Sequence, residues 1–408
     1  MSEIWRGVQE WEPRGRVRWL LTTTTLLAGF FLYLSRRHGV IAHPILFAED
    51  GQVFFLANRL HGVAALNDAY AGYLVIGPRT LALIASFLPI AWTPLVFALL
   101  ASVLSVGSCG LALSERTAWL LGGWLPRTVV FAALVFLPQV AETHATLTNV
   151  MWWGGVGLLL IGIADDPLTG PGKVFEVALV VAVLLSGPIG IVFAPVIAWR
   201  WWRTRSRWTF TLGVIWAVCC AVQVFILRGQ HRNVGKVSWG AEIGGVFIRR
   251  WFGPFAIGAG YVQRHLAGPG WSRSTWAATG LFAVLVVVVA VHARDRGAAL
   301  VMLLVGSLHV IAGFFALGPL ARLLPDRYTV GAGAALILAL AGARPSRNWV
   351  RGVHIALIVW ILVVWPRNVI VPARVGPSFK PAAACLAAHR PVCRLPAYPD
   401  PFSFDVHT

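Results

Sequence analysis

The sequence predicts an all-α polytopic membrane protein with about 11 transmembrane helices and interfacial helices in its first outer loop. Three observations lead there. Hydrophobic residues fill 58% of the 408 positions and charged residues only 12%, a balance that excludes an ordinary soluble domain. Uncharged runs at 19–35, 93–113, 275–291 and 298–318 are each long enough to cross a ~30 Å hydrocarbon core. The basic residues gather in short clusters between such runs, as they do in cytoplasmic loops.

The first helix follows Arg14, Arg16 and Arg18. Its apolar run is longer than a usual signal core, so we expect an uncleaved span, although Val40-Ile41-Ala42 would pass as a cleavage site. The formal net charge of +18 does not point to nucleic acid, because the charge is distributed among loops. Lys173, Lys236 and Lys380 are the sole lysines. With abundant Ala, Gly and Val, this arginine bias points to a high-GC bacterial genome, and so to a bacterial cell (inner) membrane. Of the five cysteines, Cys109, Cys219 and Cys220 lie in apolar runs and read as small core residues. Cys385 and Cys393 lie close together in a polar, Pro-rich tail, and would close a small loop if that tail meets an oxidising compartment.

Four basic clusters set the orientation: the N-terminal one, Arg200 to Arg207, Arg294 with Arg296, and Arg344 to Arg351. Placing all four inside puts the N-terminus in the cytoplasm and the tail outside. Two threadings satisfy this. The simple one makes 73–90 and 174–198 single spans and leaves Glu142, His144 and Asn149 at the cytoplasmic face. The other lays 73–90 along the outer interface, beside a second amphipathic stretch at 53–61. It breaks 174–198 at Ser186-Gly187-Pro188-Ile189-Gly190 into two half-spans, a break tolerated where backbone lines a cavity. This second threading is preferred, because it gathers Glu49, Asp50, Glu142, His144, Asn149 and the Gly-Pro break on one face. Acids beside a bilayer are costly and need a reason.

The pair Glu49-Asp50 comes early in the first outer loop. Two juxtamembrane helices then lead into Gly72-Tyr73-Leu74 and Pro78-Arg79. A polar patch, Pro138-Gln139-Val140-Ala141-Glu142-Thr143-His144, follows where helix three surfaces, and then the Gly187-Pro188 break before a large basic loop. In this order the chain resembles the GT-C superfamily of integral-membrane glycosyltransferases, over 19–228 and again at Asp326-Arg327-Tyr328. The resemblance implies a GT-C-like fold and transfer of a sugar from a polyprenyl-phosphate donor to an envelope glycan or lipid acceptor at the outer face. Many members carry Lys-Gly-Pro at the break. This chain has Ser186 in place of the lysine.

Phosphate is a stable leaving group, so the transfer needs a base for the acceptor hydroxyl more than it needs an acid. Asp50 is the expected catalytic base, with Glu49 beside it pointing elsewhere. Arg suits the donor phosphate through bidentate hydrogen bonding. Arg327 with Tyr328 is the best placed, with Arg322 and Arg79 as further candidates. Glu142, His144, Asn149, Trp152 and Tyr73 form the expected acceptor and sugar set, Trp stacking on a sugar face. The bland reading makes the Trp152-Trp153 pair an interfacial belt and His309 a packing group. No cofactor is expected. A divalent metal on Asp50, Glu142 and His144 is the weaker alternative. No phosphate-cradling Gly-rich loop is present, which excludes a soluble nucleotide-sugar donor.

The expected domains are 1–228 as the catalytic transmembrane module, 229–366 as a variable transmembrane module, and 367–408 as an extracytoplasmic tail. Two other functions compete. A lipid or glycan flippase would carry charges deep in both leaflets. A polymerase of lipid-linked repeat units would carry several Arg in a large outer loop. Arg228, Arg232, Arg249, Arg250 and Arg264 keep that second alternative open.

Overall fold

The computed structural model describes residues 11–228, 241–265, 271–317, 325–399 and 403–407. The chain is mainly helical. In order, the principal elements are α1 (Gly15–Ser35), β1 (Leu46–Phe47), α2 (Ile76–Ser86), α3 (Thr93–Gly110), α4 (Trp124–Val135), α5 (Val150–Ile163), α6 (Gly170–Leu184) and α7 (Ile189–Thr204). They continue with α8 (Arg207–Arg228), α9 (Ala241–Trp251), α10 (Arg273–Val291), α11 (Arg296–Leu317), α12 (Val330–Gly342), α13 (Asn348–Val364), α14 (Lys380–Ala387), β2 (Val392–Leu395), β3 (Ala397–Tyr398) and β4 (Phe404–His407).

Among the described residues, five helices are long and apolar enough to cross a membrane: Gly15–Ser35, Ile90–Leu113, Arg207–Arg228, Arg273–Val291 and Arg296–Leu317. Glu115–Leu121 with Trp124–Val135, bent by 91°, would make a sixth. This is fewer than the eleven expected. Helices α5, α6, α7, α12 and α13 run 14, 15, 16, 13 and 17 residues. At ~1.5 Å per residue the shortest of these covers about 20 Å.

The short helices sit at the centre. Every residue of α5 except Trp152 is buried, and every residue of α12 except Ala341. Around them α1, α8, α10 and α13 expose large apolar side chains, among them Trp19 at 70%, Phe225 at 80% and Val363 at 69%. Apolar outside as well as inside is the pattern of a membrane-embedded bundle. Glycines let the central helices approach. A Cβ on Gly162 of α5 would lie 1.6 Å from Cγ1 of Val196 in α7, so the two backbones nearly touch there.

The charged groups separate to the two ends of the bundle. At one end, buried Arg200 pairs with Glu176 at 2.6 Å and with Asp166 at 3.0 Å, Arg203 with Asp165 at 2.9 Å, and Arg127 with Glu12 at 2.5 Å. Arg294 donates its N–H to the Ala343 carbonyl at this end too. The expected basic clusters therefore share one end. At the other end, buried Arg36 donates to the carbonyls of Val135, Leu137, Asn368 and Val369. It ties the end of α1 to the end of α4 and to the chain beyond α13.

The tail is folded onto this second end. β3 pairs in parallel with β1, Leu46 opposite Ala397 and Phe47 opposite Tyr398, and β2 pairs antiparallel with β4. Cys385 and Cys393 form a disulfide between α14 and β2. The amphipathic stretch expected at 53–61 is a π-helix, Asp50–Leu56, running into a short α-helix, Ala57–His61. The stretch expected at 73–90 is the shorter α2. Leu60, Val63, Phe87 and Trp92 are 63%, 66%, 82% and 57% exposed along this layer, as suits an interfacial surface.

Candidate functional site

A cavity of about 400 Å³ opens at the tail-bearing end, where the first loop, the segment before α5, the break between α6 and α7, and the turn before α12 meet. Glu49, Tyr70, Tyr73, Thr148, Asn149, Trp152, Gly187, Pro188, His309, Arg327 and Tyr328 all line it. The helix break does what an irregular segment at membrane depth can do, namely line a cavity. Gly187 sits at φ +155°. A Cβ there would meet the Met151 sulfur at 3.0 Å. Of the groups that the preferred threading gathers, Glu49, Asn149 and the Gly187-Pro188 break line this cavity.

Glu49 and Asp50 lie on opposite sides of the backbone that carries them. Glu49 faces the cavity. The Tyr70 hydroxyl donates to its Oε1 at 2.9 Å, and the Thr148 hydroxyl reaches its Oε2 at 3.5 Å. Asp50, expected as the base, is 3% exposed and is not a lining residue. It accepts the N–H of Thr148 at 2.7 Å and that of Leu147 at 3.4 Å. It fixes the turn that delivers Thr148 and Asn149 to the cavity. Burial pushes its carboxyl up to about 7, with the Thr148 N–H and Arg374 pulling the other way.

Arg327 lines the cavity, as expected, but is not a lone cation. Its guanidinium pairs with the Glu142 carboxylate, and its backbone N–H donates to Glu142 Oε2 at 3.4 Å. Burial works against the charge on Arg327, but Glu142 outweighs it, and the group is held firmly protonated. Glu142 therefore holds a cation in place and is not available to an acceptor as expected. Tyr328 lies under the same guanidinium, 5.3 Å from ring centroid to carbon.

Two other expected ligands are structural. His144 is fully buried, stacked on Tyr33 at 4.3 Å, with Nε2 2.7 Å from the Tyr33 carbonyl. Burial and the Arg37 charge hold its imidazole well below the usual range, and hence neutral. Arg79, also buried, donates to the carbonyls of Asp68 and Val53 and does not reach the cavity. Arg322 lies outside the described residues. The three groups named for a metal have three different partners, and among the described residues no set of three His, Cys, Asp or Glu comes together to hold an ion.

Ser186, which stands where the resemblance led us to look for lysine, is also accounted for. Its hydroxyl accepts the Gly77 N–H at 2.7 Å and donates to the Ala182 carbonyl at 2.5 Å. It stitches the start of α2 to the helix break. Gln223 completes the seam, joining the Leu74 backbone to the Leu184 carbonyl.

Two cavity groups were not read from the sequence as ligands. His309, expected to be a packing group, lines the cavity with Nε2 buried and unpartnered among the described residues. Tyr70 was not singled out. Trp152 also leaves its indole N–H buried without a partner among the described residues. Its ring meets His309 and Tyr328 edge-on, at 5.5 and 5.1 Å. These aromatic groups make one wall of the cavity, with two buried nitrogens that have no partner among the described residues. Such buried polar atoms need a partner from a ligand or water.

No family model, no curated protein and no solved structure matches the chain.

Proposed function

We propose that this chain is a membrane glycosyltransferase that moves a sugar from a polyprenyl-phosphate donor to an envelope glycan or lipid acceptor. The observation that supports it is that one carboxylate, Glu49, and one restrained guanidinium, Arg327, both line a single cavity with Trp152 and Tyr328. Glu49 takes the proton of the acceptor hydroxyl as its oxygen attacks the anomeric carbon. The bond from that carbon to the phosphate oxygen breaks, and its electron pair leaves with the phosphate. Arg327 carries the phosphate charge, and its pairing with Glu142 pre-orients it. Trp152 offers a face and an N–H to the sugar. The resemblance in the order of features points the same way.

In this reading the short helices α5 to α7, α12 and α13 join the longer ones as spans and half-spans, eleven in all with α4. The basic end faces the cytoplasm of a bacterial cell and the cavity faces outward. The test is a reconstituted assay with a polyprenyl-phosphate sugar and lipid acceptors. Transfer by the wild type, lost in Glu49→Gln, supports the proposal. Lipid movement across vesicles without transfer from any such donor would replace it with the flippase reading.

A further inference from the structure

A second cavity, of about 500 Å³, opens beside the residues just before β1, whereas the first is reached from Glu49 just after it. It lies between 38–45, the lead into α3 at Ala91 and Pro94, and the tail at 373–380. Its basic lining groups are His38, His43, Arg374 and Lys380, and none of the described residues lining it is a carboxylate. A smaller adjoining recess adds Arg37. At the other end of the bundle buried Arg200 is matched by the Glu176 carboxylate. Here the matching charge is missing from the lining, which is the arrangement of an anion site.

We propose that this cavity binds a phosphate-bearing anion, supplied by a lipid headgroup or as free phosphate. Arg374 is its fixed member. One Nη donates to the carbonyls of Ala141 and Glu142, both at 2.9 Å, and the guanidinium carbon lies 4.0 Å from the centre of the Phe47 ring. The group is therefore positioned before any ligand arrives. His38, His43 and Lys380 are exposed at the rim and can bring N–H donors to phosphate oxygens. Trp92, which follows the lining residue Ala91 in the chain, is 57% exposed, and an interfacial tryptophan marks headgroup level. Arg374 also joins the two cavities, since the residue whose carbonyl it holds is the one whose carboxylate holds Arg327. The inference does not rest on the transferase reading, because binding is measured without a reaction.

The test is calorimetric titration of the full chain in neutral detergent with three probes: dihexanoyl phosphatidic acid, dihexanoyl phosphatidylcholine and inorganic phosphate. We expect saturable binding of phosphatidic acid and little of the zwitterionic lipid. Competition by inorganic phosphate shows that the anion alone suffices, and its absence assigns the site to headgroups; either supports the site. The rim variant Lys380→Gln/His43→Gln should bind about tenfold more weakly with an unchanged thermal midpoint. Arg59→Gln, an exposed basic residue that does not line the cavity, should bind as wild type. Equal binding of both lipids, no saturable binding of either anion, or an unaffected rim variant would overturn the proposal.

Discussion

Glu49 and Asp50 are consecutive, yet one lines the cavity and the other is sealed beneath it, holding the N–H groups of Leu147 and Thr148. The two acids therefore have separable roles. Glu49→Gln should lower the turnover of sugar transfer by at least about a hundredfold, the usual scale for a lost general base. Asp50→Asn keeps an oxygen for Thr148 and should retain far more activity. Initial rates of both variants decide it, and the reverse ranking would return the base to Asp50.

Asp50 also predicts a pH dependence. Its carboxyl is raised to about 7 in the folded chain, against about 4 when unfolded. Between those values the folded form holds a proton that the unfolded form has lost. This contribution to stability is full at the acidic end and is lost as pH rises through about 7. Asp50→Asn cannot titrate, so its thermal midpoint should change less than that of wild type from about pH 5 to pH 8. Parallel curves would show that Asp50 is not the group responsible.

Glu142 and Arg327 should behave as one unit. Arg327→Gln removes the cation and should raise KM for the donor. Glu142→Gln frees the cation from its restraint and should act in the same direction, more weakly. In a double-mutant cycle on kcat/KM the two should couple by roughly 0.5–3 kcal/mol. Strict additivity would mean that the pair is incidental.

Gly162→Ala tests the packing of the centre. The new methyl would fall on Val196, and overpacking of this kind costs about 1–3 kcal/mol. Adding Val196→Ala should recover part of the loss in thermal midpoint. A neutral Gly162→Ala would show that α5 and α7 can separate at no cost.

The disulfide predicts that protein purified without reductant shows no reactive thiol at Cys385 or Cys393. The loop it closes is short, so Cys385→Ser with Cys393→Ser should cost at most about 2–3 kcal/mol. Thiol counting under denaturing conditions, with and without prior reduction, gives the answer.

The helical, apolar character was legible because hydropathy is a property of single residues summed over a window. So was the convergence of Glu49, Asn149, Trp152, Arg327 and the Gly-Pro break, since expensive polar groups in an apolar chain have few places to go. Which of two adjacent acids faces the cavity was not legible. That choice depends on the π-helical turn at Asp50–Leu56 and on the tail residue Phe404, whose ring leaves no room for a side chain at Gly51. His144 and Arg79 look like ligands in the sequence, because their partners are main-chain carbonyls, which every residue possesses. Fewer than eleven described helices reach spanning length for a related reason. Where the central helices are shielded by an outer ring, they need not match the bilayer thickness one by one.

The pairing of Leu46–Phe47 with Ala397–Tyr398 joins the start of the chain to its far end. A ribosome-bound intermediate that has released every helix through α13 still lacks one of these two strands. Its first loop then has no edge to pair with, and the second cavity lacks the wall made by 373–380. Completion of the second cavity therefore follows the synthesis of α13 and is set by the arrival of 373–398, not by insertion of the helices before it. A chain truncated after Val364 can insert its helices and still lack one side of its second cavity.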